Sequence, residues 1–143
     1  MHKLIFIPLF LVFISCKKEN IQGIRIGKTL LENQSFSDNK KLDTIIRSTL
    51  KGDYDSLRML NHFPCGDSAG CYDKGFLITQ IIYKIGENNF IKMINKLNRK
   101  ELYGIEDFIN TGLEYGDNNN DGKMDNKIAE EEFPLLMKKL SEK

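Results

Sequence analysis

The sequence predicts an all-α fold of about six short helices packed as antiparallel hairpins. Three observations carry that prediction. From Asp38 onward, apolar residues recur at three- to four-residue spacing, which is the helical period. The periodic segments are punctuated by Gly52, Pro64, Gly86 and Gly116, residues that stop helices. Asp or Asn residues suited to N-caps stand before several of the segments. The composition agrees: of 143 residues, 41% are hydrophobic and 29% charged, ordinary for one soluble globular domain.

The first helix is expected from Asp38, with Leu42, Ile45, Ile46 and Leu50 on one face and Gly52 as its stop. Asp53 caps a second helix whose inner face is Tyr54, Leu57, Leu60 and Phe63, ended by Pro64. A third runs from about Asp73 to Ile85. Phe76, Ile78, Ile81, Ile82 and Ile85 make it apolar nearly all round, which predicts the central buried helix. A fourth starts at Asn88 or Asn89 and turns Phe90, Ile91, Ile94 and Leu97 inward. The fifth spans about Lys100 to Tyr115, with Leu102, Ile105, Phe108, Ile109 and Leu113 apolar and Gly116 at C′. The last begins near Glu131, with Pro134 in its first turn and Phe133, Leu136, Met137 and Leu140 facing in. Its early acids Glu130, Glu131 and Glu132 and late Lys138 and Lys139 suit the helix dipole.

The chain opens MHKLIFIPLFLVFISCKKEN: a basic start, an apolar run from Leu4 to Ile14, then Ser15 and Cys16. Roughly 20 apolar residues are needed to span a bilayer, so the run reads as a signal peptide. The stretch resembles a bacterial lipoprotein signal of the looser kind common in the Bacteroidetes. Phe13 and Ile14 stand where the family prefers Leu and a small residue. The resemblance implies cleavage before Cys16 and lipidation of Cys16, anchoring the protein to the membrane. Lys17 replaces the Asp of the inner-membrane retention signal, which implies the outer membrane. The expected organisation is a signal peptide over 1–15, a lipidated cysteine and tether over 16–38, and one helical domain over 39–143. Within the tether, Ile24, Ile26, Leu30 and Leu31 are expected in a short irregular or extended piece.

Without Lys3, 20 basic residues face 20 acidic ones. No basic stripe remains, and nucleic acid is not an expected partner. Outside the cytoplasm, Cys65 and Cys71 in PCGDSAGC are expected as a structural disulfide. KGDYDSLRML resembles Gly-Asp segments that open helices in tetratricopeptide- or Sel1-like repeats, which implies a helical stack. No second copy recurs at a fixed period.

The chemical clue is YGDNNNDGKMDNK, residues 115–127, which resembles the start of an EF-hand calcium loop. Asp117, Asn119 and Asp121 match ligand positions 1, 3 and 5. Gly122 matches the turn glycine, Lys123 the carbonyl donor and Asp125 position 9. Ile128 stands where the bidentate Glu belongs, so Glu131 or Glu132 would have to serve in its place. Ca2+ is the one cofactor suggested; a polar turn of Gly, Asn and Asp is the alternative.

Catalytic signatures are scarce. Without the leader, His62 is the sole histidine, and neither G-x-S-x-G nor H-E-x-x-H occurs. The carboxylate pairs Asp53 with Asp55 and Glu106 with Asp107 are candidates for glycoside hydrolysis, with helix caps and a solvated face as the alternatives. Tyr72, Tyr83, Tyr103 and Tyr115 are candidates for a binding face. The leading expectation is therefore a lipid-anchored envelope module, not an enzyme, that binds another envelope or secreted protein. An immunity or inhibitor type is the specific variant, with acids between residues 117 and 132 suiting a basic partner. A calcium-dependent structural or adhesive module is second, and a carboxylate hydrolase third.

Overall fold

The periodic segments do form helices, and the apolar faces named above supply most of the core. A computed structural model describes residues 19–142. Cys16 and the signal peptide lie outside the described residues. A short hairpin, β1 (Asn20–Ile21) and β2 (Ile24–Arg25), is followed by α1 (Lys28–Glu32), α2 (Phe36–Thr49), α3 (Tyr54–His62) and α4 (Ser68–Ile85). Then come α5 (Glu87–Ile94), α6 (Arg99–Tyr115), α7 (Ala129–Glu132) and α8 (Pro134–Ser141). Among the described residues, the fold is all-α apart from that one hairpin.

Side-chain caps explain where the longer helices start. Ser35, not Asp38, caps α2: its hydroxyl accepts from the Asp38 amide, and Asp38 acts from inside the first turn. Asp53 caps α3 as expected. Asp67 caps α4 through the Gly70 amide, so that helix begins well before Asp73, inside the disulfide loop. Asn98 and Glu101 form a reciprocal capping box on α6. The expected last helix is two: Phe133 (φ −132°, ψ 61°) leaves helical geometry between α7 and α8, and Pro134 opens α8.

Helix α4 is central, packing against α1, α5, α6 and β2. Its main partner is α6, reached past α5, so the packing is not a succession of consecutive hairpins. Two glycines permit the approach. A Cβ on Gly75 would sit 2.8 Å from the Phe108 carbonyl oxygen, and one on Gly112 would collide with the Gly75 carbonyl. Backbone therefore meets backbone where α4 crosses α6.

Much of the stretch expected as tether is folded onto this core. Ile21, Ile24, Ile26, Leu30 and Leu31 are all buried. Residues 22 and 23 turn with positive φ, and β1 pairs antiparallel to β2. The Gln80 side chain accepts from the Arg25 amide at 2.8 Å and donates to the Arg25 carbonyl at 2.9 Å. A helix side chain thus bonds the backbone of β2 as a neighbouring strand would. The Asp73 carboxylate accepts from Leu30 N at the start of α1.

Candidate functional site

The Asp/Asn loop joins α6 to α7 and folds back over the end of α6. A helix leaves its last carbonyls unpaired, and this loop satisfies them. Asn118 Nδ2 donates to Gly112 O, Lys127 N to Leu113 O, Asn126 N to Glu114 O and Asp125 N to Gly116 O. Gly116 is extended (φ −78°, ψ 159°) and not in the left-handed state typical of a C′ glycine. A Cβ there would collide with Gly112 O. Positive φ falls instead on Asn120, Gly122 and Asn126, residue types that tolerate it.

The carboxylates of the loop face its own amides. Asp117 Oδ1 accepts from Asp121 N at 2.8 Å, Asp121 Oδ1 from Lys123 N at 3.0 Å, and Asp125 Oδ2 from Asn118 N at 2.7 Å. Asp117 also receives Arg25, at Oδ2 (3.1 Å) and at its backbone carbonyl. Burial pushes the Asp117 carboxyl up. Hydrogen bonds from Arg25 and from the Asp121 and Gly122 amides outweigh that and hold it below its ordinary value. Asn119 and Lys123 are exposed. Glu131 points to solvent, and Glu132 bonds the Tyr83 hydroxyl, with Lys127 3.7 Å away. Among the described residues, no group of three His, Cys, Asp or Glu side chains is arranged to hold a metal ion. In this arrangement the Asp117 and Asp125 carboxylates accept from loop amides, and Asp117 also holds Arg25.

Between the hairpin and this loop lies an open groove of about 580 Å³. Asn20 and Arg25 from the hairpin, Gln80, Tyr83 and Lys84 from α4, and Asn119 and Lys127 from the loop line it. Arg25 is fixed on both sides: it pairs with Asp117, and its guanidinium lies 5.0 Å from the Phe76 ring centre. Tyr83 leans on Phe133, with its hydroxyl directed at Glu132 and accepting from Lys127 at 3.3 Å. Burial, and then the Glu132 carboxylate, push the Tyr83 phenol well above its ordinary value, so it stays a hydrogen-bond donor. The groove offers amides, a phenol and three cations, which is hydrogen-bonding chemistry without a nucleophile–base pair.

The other candidates are scattered. The Cys65 and Cys71 sulfurs are at disulfide distance, with Cα atoms 4.9 Å apart. His62 sits at the end of α3, 3.3 Å from Glu101, which also receives Arg58 at 2.9 Å. Asp53 accepts from Ser56, while Asp55 pairs with Arg58. Asp107 is exposed; Glu106 lines a separate small recess beside Tyr103. Tyr72 and Tyr115 stack on each other at 4.7 Å. Sequence reasoning missed Arg25 and Gln80, because their partners lie in distant segments, and Asn118, which reads as one more polar residue of the loop. No family model, curated protein or solved structure matches the chain.

Proposed function

We propose that the protein is a lipid-anchored module of the cell envelope that binds another envelope or secreted protein, with the hairpin–loop groove as its recognition surface. The observation that carries this reading is the groove: fixed hydrogen-bonding groups from three separate segments line one open concavity. Anchoring through Cys16 rests on the sequence resemblance. No helix among the described residues is long and apolar enough to cross a membrane. An immunity or inhibitor role is the specific form, in which the groove takes a loop of a toxin or enzyme. Arg25, Lys84 and Lys127 suit an acidic loop there, while the exposed Asp121, Glu130 and Glu131 suit basic residues around it.

Two exposed groove substitutions test this, Lys84→Glu and Asn119→Arg. A partner captured from envelope extracts by the chain from Lys17 should be lost with the pair and retained by Glu106→Gln, which lies in another recess. Equal capture by all three would sink the groove assignment. Replacing Cys16 by Ser should move the protein from the membrane fraction to the soluble one. Retention in the membrane would contradict the anchor.

Calcium binding is the second reading, favoured by the oxygen spacing of Asp117, Asn119, Asp121 and Asp125. It requires Asp117 to exchange Arg25 for the ion. Extracellular sites function with Kd values of about 10⁻⁴ to 10⁻³ M. A melting rise at about 1 mM calcium that Asp117→Ala/Asp121→Ala abolishes would support it. No response up to roughly 10 mM would leave the loop a turn.

A further inference from the structure

A second cavity, of about 420 Å³, opens between the α2–α3 turn and α5 and shares no lining residue with the hairpin–loop groove. Its deeper wall is apolar: Tyr54 and Ile85 are half-buried and Met93 is buried. Its rim carries three exposed lysines, Lys51, Lys92 and Lys96. None makes an ion pair with a carboxylate among the described residues.

Carboxylates nearby in sequence are engaged elsewhere. Asp53 accepts from the Asp55 amide and Ser56 at the start of α3, Asp55 pairs with Arg58, and Glu87 accepts from Leu136 N. Three like charges around one cavity repel one another, and among the described residues no carboxylate pairs with them there. Two of the three are held. Lys96 Nζ lies 4.1 Å from the Tyr54 ring centre, and Lys92 donates to Asn89 Oδ1 at 3.3 Å. At the mouth, Gly52 has φ +87° and no atom near its missing side chain, which leaves the backbone open to approach.

A cationic rim over an apolar wall matches one ligand chemistry. We propose that this cavity binds a small amphipathic anion, a phosphate or carboxylate head on an apolar body. The head meets Lys92 and Lys96, and the body lies against Tyr54, Ile85 and Met93. A concave cavity of this size encloses a single small molecule, whereas a flat lysine field would suit an extended anionic surface. This inference does not depend on the protein-binding groove.

The test uses residues 17–143, a segment that contains the whole described core from Ile21 to Leu140. A cooperative melt first establishes that it is folded. Calorimetric titrations then use octyl phosphate, octanoate and, as the sign control, octyltrimethylammonium, all below their micelle concentrations. Saturable binding of at least one anion is expected, with no uptake of the cation. Lys92→Gln/Lys96→Gln should weaken it at least tenfold with an unchanged melting temperature. Lys51→Gln serves as an independent variant should the pair not fold, and it too should weaken binding. Octyl phosphate without octanoate would identify a phosphate head; both would identify a site indifferent to the head. No saturable anion binding, uptake of the cation to the same extent, or unchanged affinity in folded variants would overturn the proposal.

Discussion

Lys74 carries an ammonium into the interior with no carboxylate partner among the described residues. Only 2% of it is exposed. It donates to Asn61 O at 2.7 Å and Phe63 O at 2.6 Å and lies 4.3 Å from the Phe108 ring centre. The favourable side is electrostatic, because those carbonyls form the negative end of α3. The cost is desolvation, which pushes the ammonium from 10.5 down to about 8. Between those values the unfolded chain binds more protons than the folded one, so stability rises with pH. Wild type should gain on the order of 2 kcal/mol relative to Lys74→Met between pH 7 and 10. Parallel urea midpoints across that range would refute it. This residue was illegible in the sequence, where a lysine between Asp73 and Gly75 reads as helix surface. Tyr72 and Tyr115 stand out in the sequence as candidates for a binding face, yet only the fold reveals that they stack.

The end of α6 shows how an element can be read correctly for an incomplete reason. Gly116 marks the stop, but the carbonyls are satisfied by a long following loop, with Asn118 reaching back to Gly112 and accepting from Thr79 at 2.9 Å. Asn118→Ala removes both bonds and should cost about 2 kcal/mol in denaturant unfolding, because it leaves a buried carbonyl unpaired. An effect under about 0.5 kcal/mol would show that water replaces the amide. The α4–α6 crossing makes a sharper demand. Gly112→Ala gains up to about 1 kcal/mol in helix propensity yet must push the α4 and α6 backbones apart, so a net loss of about 2 kcal/mol or more is expected. A neutral result would mean the helices separate freely. The disulfide closes a short loop around the start of α4. Replacing both cysteines by Ser should cost about 2 kcal/mol, read as a shift in urea midpoint. Helical faces were legible because burial imposes a period of about 3.6. Starts such as Ser35 and Asp67 were not, because a cap is one side chain with several equivalent candidates nearby.

At the scale of the whole molecule, the period announced an all-α core but not which helices would meet. Pairing of α4 with α6 depends on two glycines far apart in sequence. Inclusion of the hairpin depends on Gln80 accepting from and donating to β2. Most of what makes the groove is long-range: Arg25 and Asp117 are 92 residues apart, and Tyr83 and Glu132 are 49 apart. The Asp/Asn spacing that resembles a metal loop was legible as composition, whereas its service to α6 and Arg25 needed the fold. Position-specific photo-crosslinking in living cells tests whether the hairpin–loop groove is a recognition surface. A photoreactive residue at Asn119, inside the groove, is compared with one at Tyr103, on α6 away from it. A discrete adduct with one envelope or secreted protein is expected from position 119 and none from position 103. No adduct at 119, or the same adduct from both positions, would contradict the groove as a recognition surface.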